Sequence, residues 1–477
     1  MKSSCNMLYM NGTPPHFPLT THWQHPNFFA YYPTACSYPA IVGDILSGGL
    51  SCIGFTWKST PACTEVEMVM MDWLAKALAL PQHFLFSHEG PGGGIIQCTA
   101  SDSTLVAMLA ARARAVSAGG QDNSKPMSEP GEGLAAVLNP VVNKVWSKLK
   151  TLRDSVELLI HAPLHSRLVA YCSDQAHSSV ERAALLASVK IRHLPSDSDY
   201  AMNRKTLEAA ITEDIKRGLV PFCVIATLGT TNSCAFDKLK EIGPVCQKHG
   251  IWLHVDAAYA GSAFVCPEYR QYMEGVELAD SFNFNAHKWL MINFDCSPMW
   301  FKDAMEVEQA FKVDPLYLKH ANQGLVPDYR HWQVPLGRRF RSIKVWFVLR
   351  AFGLDGIREF IRNHCKLAKE FEALVRKDDR FEIFAPVVLG LVCFRLKNQP
   401  NEVTEILMKR LNEDNRLHMV PATVQGKYII RFALCSALTT SKHVEDAWRI
   451  IQHIADQLLN EQNLFENSIV ETNYNSI

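Results

Sequence analysis

A regular alternation of apolar runs and amphipathic segments between residues 168 and 287 constrains the fold more than any other feature. LVAYCS, FCVIATLG, IWLHVDA and SFNFNA are typical of buried strands, whereas SSVERAALLASV, KTLEAAITEDIKRG and LKEIGPVCQKHG are typical of amphipathic helices. Strands separated by helices of this length form parallel sheets, because parallel neighbours require a crossover connection. The sequence therefore predicts an α/β fold with a large, mostly parallel sheet.

Two charged residues interrupt this apolar pattern. Lys288 lies within SFNFNAHKWLMINF, and Asp256 ends the run IWLHVD. Lysine and aspartate are rarely buried without a partner, so the two suggest a shared ligand. An ε-amine forms a Schiff base with an aldehyde, and a carboxylate can keep a pyridine nitrogen protonated. Pyridoxal phosphate carries both groups. Considered singly, Lys288 could be a surface lysine at a strand end, and Asp256 could cap a turn.

A possible phosphate site follows the glycines at 92–94, which we interpret as a loop. Thr99, Ala100 and Ser101 come next and begin a helix that continues through Arg114, with Thr99 or Ser101 as its cap. Backbone N–H groups at a helix N-terminus attract anions. GPGGG is not a P-loop, because no GK[ST] follows it, so the pattern alone is weak.

Several other polar residues lie where strands end. His177 precedes a helix and could stack on a ring or transfer a proton, although a histidine at a helix start often bonds to the backbone instead. Thr230 and Thr231 could contact a ring or phosphate, or simply form a turn. Residues 310–341 are polar and weakly periodic, which indicates a long surface loop that could act as a lid carrying Tyr317 as a proton donor.

The same patterns divide the chain into three parts. Residues 1–35 are predicted to form an irregular arm, 36–345 a large cofactor-binding domain, and 346–477 a small C-terminal α+β domain. Within the large domain, a stretch rich in Gly, Ser and Pro indicates an insertion at about 115–165.

Composition excludes several function classes. Lys and Arg number 48 and Asp and Glu also number 48, so nothing favours nucleic acid or an anionic membrane. The 14 cysteines form no CxxC pair, which argues against a metal site and favours free thiols in a reducing cytosol. We see no signal peptide and no apolar run of the roughly 18 residues that a membrane span requires. We therefore expect a cytoplasmic enzyme without a metal.

Specific motifs extend this interpretation along most of the chain. They are THWQHP, AYYPT, STPACTE, DQAHSSVERA, ATLGTT, HVDAAYAGSAF, FNFNAHKW, DYRHWQVPLGRRFRS and LGLVCFRLK. On these runs the sequence resembles the group II pyridoxal-phosphate-dependent amino-acid decarboxylases, and among them most closely the aromatic L-amino-acid (DOPA) decarboxylases. The resemblance covers roughly residues 21–460, apart from about 115–165. It implies the aspartate-aminotransferase-like fold (fold type I) and a homodimer with active sites at the interface.

The resemblance also assigns roles to individual residues. It implies cofactor contacts at Lys288, Asp256, Ala258, His177, Thr99, Ala100, Thr231, Asn285 and His287. Lys288 would form the Schiff base, Asp256 would bind the ring nitrogen, and His177 would stack over the ring. It implies a substrate pocket shaped by Tyr31, Pro33, Thr34, Ile53 and Phe55, with the last two from the partner subunit. The catalytic set would be Lys288, His177, Asp256 and Tyr317.

The implied reaction is decarboxylation of an aromatic L-amino acid, such as L-DOPA or 5-hydroxytryptophan, to its amine and carbon dioxide. Two alternatives lie within the family. Aldehyde synthases typically carry asparagine at the position of His177, and histidine decarboxylases usually carry serine at the positions of Gly337 and His287, although Thr99 is shared with that branch. A third alternative is a non-catalytic truncated isoform acting as a binding module, because only a short arm stands where the family has a helical N-terminal segment.

Overall fold

The computed structural model describes residues 21–119, 164–313, 324 and 326–474. The predicted lid residue Tyr317 and most of the predicted insertion lie outside these ranges. Within them, the helix that precedes the predicted insertion continues through Gly119. The boundaries of the predicted domains stay predictions.

A seven-stranded sheet forms the larger part of the molecule. Its strands are β1 (Gly93–Gln97), β2 (Leu168–Ser173), β3 (Lys190–Leu194), β4 (Val220–Thr227), β5 (Trp252–Asp256), β6 (Ser281–Asn283) and β7 (Ser297–Phe301). Their spatial order is β1-β7-β6-β5-β4-β2-β3. All neighbours run parallel except at β7, which is antiparallel to both β1 and β6. The predicted α/β architecture is confirmed.

Helices connect the strands and cover the sheet. They are α1 (Tyr38–Leu50), α2 (Pro61–Leu78), α3 (Ala100–Gly119), α4 (Ser179–Ala187), α5 (Arg204–Lys216), α6 (Leu239–His249), α7 (Ala286–Trp289) and α8 (Ala304–Phe311). Alternate residues of β2 join different cores, since Ala170 packs on the α3 side and Tyr171 on the opposite side. Both faces of the sheet are therefore buried, as near-continuous apolar strands predict.

A second, antiparallel sheet follows the long helix α9 (Ser342–Arg376), which is broken at Gly353 (φ 60°). Its strands are β8 (Phe381–Ile383), β9 (Leu391–Leu396), β10 (Val420–Val424) and β11 (Lys427–Ala433), in the order β10-β11-β9-β8. Helices α10 (Asn401–Glu413) and α11 (Ser441–Tyr474) complete this part. Phe29 from the predicted N-terminal arm stacks on Phe432 of β11 at 4.0 Å between ring centroids.

Two local predictions were wrong, and one helix was not predicted. The glycines at 92–94 largely belong to β1 rather than to a loop. The strand has glycine there because Cβ atoms at Gly93 and Gly94 would lie 2.4 Å from Phe86 and 2.7 Å from Trp300. Residues 326–341 are only partly a surface loop, since 328–333 are buried whereas 334–337 are exposed. Helix α1 was not predicted, and it packs closely on α9 because Gly43 leaves room for Lys344. Among the described residues, we find no helix long and apolar enough to cross a membrane.

Candidate active site

A cavity of about 220 Å³ opens where the carboxyl ends of β4 and β5 meet the N-terminus of α3. Its lining includes every predicted cofactor contact, which are Thr99, Ala100, His177, Thr231, Asp256, Ala258, Asn285, His287 and Lys288. Ligands of open α/β sheets bind at this edge, because the connecting loops diverge there. The structure therefore brings together residues that are far apart in the sequence.

Lys288 projects into this cavity from the one-turn helix α7. Its Nζ atom lies 5.4 Å from the centroid of the Tyr32 ring, and no carboxylate of the described residues comes within ion-pair distance of it. Burial lowers the pKa of the Lys288 ammonium, Asp256 raises it in part, and nearby Arg431 lowers it further. A lysine with a lowered pKa is more often neutral, and only the neutral amine is a nucleophile.

Asp256 stands at the end of β5, where it is 3% exposed. Its Oδ1 accepts a hydrogen bond from the backbone N–H of Ala258 at 2.9 Å. Burial raises the pKa of the carboxyl, and the charge of Lys288 and the Ala258 amide oppose this effect only in part. A buried carboxylate that lacks a close cation is well suited to a ligand that carries a positive charge.

The opposite end of the cavity is suited to an anion. Thr99 caps α3 by three reciprocal bonds with Asp102: its N–H and Oγ1 donate to Asp102 Oδ2 at 3.0 and 2.8 Å, and its Oγ1 accepts from the Asp102 N–H at 3.3 Å. Ala100 and Ser101 lie in the first turn, so their N–H groups have no carbonyl partner within the helix and are available to an anion. Asn285 lines the same cavity, and its buried Oδ1 has no hydrogen-bond partner among the described residues, so this acceptor calls for a hydrogen-bond donor rather than for the anion itself.

Two histidines line the cavity as neutral rings at neutral pH. Burial lowers the pKa of His287 to about 4, and its Nδ1 accepts the backbone N–H of Cys296 at 2.9 Å. Burial and the charge of Lys288 lower the pKa of His177. The Nδ1 atom of His177 accepts the Ser179 N–H at 3.1 Å, so the neutral ring carries its proton on Nε2.

Sequence reasoning missed several residues at this site, and two of them, Tyr32 and Arg431, bear on its chemistry. Tyr32 lines the cavity, and the Arg431 guanidinium lies over its ring at 5.0 Å. Both come from segments that are remote from Lys288 in sequence, so no local pattern marked them. The one available signal was the arginine in the apolar strand KYIIRFAL, which needs a partner when buried.

A column of aromatic rings continues from Tyr32 away from the cavity. Tyr32 stacks on Tyr259 at 3.8 Å, and Tyr259 stacks on Trp289 at 4.8 Å between ring centroids. The Trp289 N–H then donates to His364 Nδ1 of α9 at 2.9 Å, and the Tyr259 hydroxyl accepts the Gly390 N–H at 3.1 Å. The column links the turn that carries Lys288 to the second sheet.

The predicted substrate residues lie outside the cavity lining. Tyr31 is half-exposed and stacks on Trp23, Pro33 is buried, and Thr34 is partly buried. Ile53 is exposed and Phe55 partly exposed, in a loop that pairs with the segment near Arg338 through the Gly54 N–H at 3.1 Å. None of these five positions is among the residues that line the cavity, so their predicted role stays a prediction.

Comparison with known proteins identifies the family. The pyridoxal-dependent decarboxylase conserved domain matches residues 7–130 and 131–397. The chain belongs to this family. It is therefore a pyridoxal-phosphate-dependent decarboxylase, as predicted.

Named relatives and solved structures agree with that assignment. The chain is 51% identical to the aromatic-L-amino-acid decarboxylase of Rattus norvegicus over 93% of this chain and 85% of the relative, and 52% identical to that of Drosophila melanogaster over 93% and 80%. The crystal structure of Oryza sativa TDC with PLP and tryptamine matches with a TM-score of 0.82 at 35% identity, covering 94% of this chain and 90% of that one. The predicted fold type I architecture is confirmed.

The residues of this decarboxylase fit pyridoxal phosphate. Besides Asn285 Oδ1, the cavity borders a second orphaned acceptor, Thr227 Oγ1, which is buried without a hydrogen-bond partner among the described residues. Leaving a buried polar group unpaired costs about 1–3 kcal/mol, so such atoms favour a polar ligand. Lys288 suits an aldehyde, Asp256 a protonated ring nitrogen, and the start of α3 a phosphate.

Proposed function

We propose that this decarboxylase acts on an aromatic L-amino acid, L-DOPA or 5-hydroxytryptophan, and releases the amine and carbon dioxide. The observation that carries the proposal is the cavity in which Lys288 and Asp256 converge. The aromatic substrate class rests on relatives named aromatic-L-amino-acid decarboxylase at 50–52% identity. Free thiols at the described cysteines support the proposed cytoplasmic location.

Each cavity residue has a proposed task. When bound, pyridoxal phosphate supplies an electron sink that accepts the electron pair left on the substrate when carbon dioxide departs. Lys288 would hold the cofactor covalently, Asp256 would bind its ring nitrogen, and His177 would cover the ring, where its Nε2 proton would assist the protonation of the substrate carbon by Tyr317.

The contacts at the ends of the cofactor follow from the same geometry. Ala100, Asn285 and His287 hold the phosphate together with Thr99, while Ala258 and Thr231 contact the ring. Arg431 supplies a positive charge for the substrate carboxylate, because its Nε is buried without a partner among the described residues. Tyr317 remains the proposed proton donor.

The surface supports the proposed homodimer. Helix α1 exposes large apolar side chains, including Tyr38 (86% exposed) and Ile45 (67%), and Ile53, three residues beyond the helix, is 54% exposed. Exposed apolar side chains grouped along one helix favour an interaction site. In a dimer formed through this face, Ile53 and Phe55 would reach the partner's substrate pocket. Ile45→Glu should shift the protein to monomers in analytical ultracentrifugation, whereas Leu185→Glu on α4, where the leucine is 78% exposed, should not. If Ile45→Glu stays dimeric, this face is not the interface.

One experiment tests the function. We expect the protein purified with pyridoxal phosphate to show a visible absorbance band that Lys288→Ala abolishes and Lys240→Ala, at an exposed lysine, retains. Carbon dioxide, amine and hydrogen peroxide are then measured with L-DOPA, 5-hydroxytryptophan and histidine. Amine in step with carbon dioxide from the aromatic substrates supports the proposal. Peroxide in step with carbon dioxide indicates an aldehyde synthase, turnover of histidine alone indicates a histidine decarboxylase, and the absence of the band contradicts catalysis by Lys288.

A further inference from the structure

A row of buried polar side chains extends from Asp256 into the protein, away from the cavity. On the neighbouring strands β5 and β6, Asp256 pairs with Asn283 and His254 pairs with Ser281. All four side chains lie on the face of the sheet that α3 covers. His254, Ser281 and Asn283 are fully buried. Fully buried polar residues are costly unless they bond to one another, so their alignment behind Asp256 calls for a role.

The first bonds of this row have a fixed direction. The Trp252 Nε1–H donates to Ser281 Oγ at 2.8 Å, and an indole can only donate. The Ser281 hydroxyl lies 2.8 Å from His254 Nδ1 and is left to donate to it. Burial lowers the pKa of His254 to about 3, so the ring is neutral. A neutral ring that accepts at Nδ1 carries its proton on Nε2.

Asn283 is the residue of β6 that pairs with Asp256, and its side chain lies on the same face of the sheet as His254. Its Oδ1 and Nδ2 and the Nε2 of His254 are buried atoms without a hydrogen-bond partner among the described residues. Oδ1 can only accept and Nδ2 can only donate, which matches His254 Nε2–H on one side and a carboxylate on the other. The Asn283 side chain also raises the pKa of His254 and lowers that of Asp256, in each case against a larger effect of burial.

We propose that Asn283 is a positioning residue that links His254 to Asp256 and holds the carboxylate ionised toward the cofactor's ring nitrogen. The row then runs in one direction, from Trp252 through Ser281, His254 and Asn283 to the carboxylate. Asn283 touches neither substrate nor cofactor and acts through Asp256. This inference rests on the proposed contact between Asp256 and the ring nitrogen.

Binding to the apoenzyme tests the inference without catalysis. Two ligands are compared by quenching of tryptophan fluorescence: pyridoxal phosphate and its 1-deaza analogue, in which a C–H group replaces the ring nitrogen. A charge-assisted hydrogen bond contributes enough that Asn283→Leu should raise the Kd of pyridoxal phosphate roughly 10- to 100-fold. The Kd of the 1-deaza analogue should change by less than about 3-fold, because that ligand makes no bond through Asp256.

Matched variants separate positioning from packing. Thr404→Val also removes a buried, unpaired polar atom, but in α10, and should leave both Kd values unchanged. If Asn283→Leu does not fold, His254 supplies a second pair. His254→Gln keeps an N–H near the place of Nε2 and should preserve the preference for pyridoxal phosphate, whereas His254→Asn should lose it.

The outcomes distinguish this inference from the proposed function. Equal losses for both ligands, or no loss for either, would overturn the role of Asn283 and leave the proposed function standing, provided that the unaltered protein prefers pyridoxal phosphate. If the unaltered protein binds both ligands equally, the proposed contact of Asp256 fails, and the inference fails with it.

Discussion

The buried ion pair between Glu67 and Arg338 allows a quantitative prediction. Glu67 Oε1 lies 2.5 Å from the Arg338 guanidinium and accepts the Ile96 N–H at 2.7 Å, and both charged side chains are at most 3% exposed. Glu67→Leu leaves a guanidinium and an amide buried without that partner. Removing one member of a buried pair costs about 3–5 kcal/mol, and an unpaired buried amide about 1–3 kcal/mol.

We therefore expect Glu67→Leu to lower the free energy of unfolding by about 4–6 kcal/mol, allowing for overlap between the two effects. The assay is urea unfolding followed by circular dichroism. The double variant Glu67→Leu with Arg338→Leu should be more stable than either single variant, because no buried charge remains. Glu268→Leu breaks the exposed pair with Arg362 at 2.6 Å and should cost less than about 1 kcal/mol. A double variant less stable than both single variants would refute the reasoning.

Three further predictions concern individual residues. Burial lowers the pKa of His364 to about 4, whereas an unfolded histidine titrates near 6.5. The unfolded chain therefore binds more protons, and the free energy of unfolding should fall by about 1.3 kcal/mol between pH 7.5 and pH 5.5 because of this residue. Urea titrations at the two pH values should show that His364→Gln removes this difference. Gly353→Ala should cost about 1–2 kcal/mol in a thermal melt, because φ 60° with ψ −179° strains any other residue, whereas Gly48→Ala in the open part of α1 should not destabilise. Asp256→Asn should slow carbon dioxide release at least ~100-fold, and a smaller effect would contradict its proposed role.

The sheet was predictable because its strands carry their own signal. Runs such as LVAYCS and IWLHVDA are buried on both faces, so they read as strands without any tertiary information. Strand β1 was not predicted because Gly93 and Gly94 carry no side chains and so give no apolar pattern. Glycine is needed at these positions because the bulky side chains of Phe86 and Trp300 pack against the strand. A sequence cannot show that reason before the partners are placed.

The cavity was predictable to a similar degree. Lys288 and Asp256 stand out because each is a charge within an apolar run, and the resemblance to the decarboxylase family extended the set to the remaining predicted cofactor contacts. Tyr32 and Arg431 were missed because their position depends on how the second sheet packs against the first. The cluster PLGRRFR was equally ambiguous, since only the fold reveals that Arg338 is neutralised by Glu67.

The ring column has a consequence for how the molecule can move. Tyr32, Tyr259, Trp289 and His364 connect the Lys288 turn with α9, and stacked rings lose contact when they slide apart. A hinge motion that separated the two sheets would have to break this column and the Trp289–His364 hydrogen bond together. The Lys288 turn and the adjoining part of α9 should therefore fluctuate as one rigid body, and their amides should exchange with deuterium at similar rates.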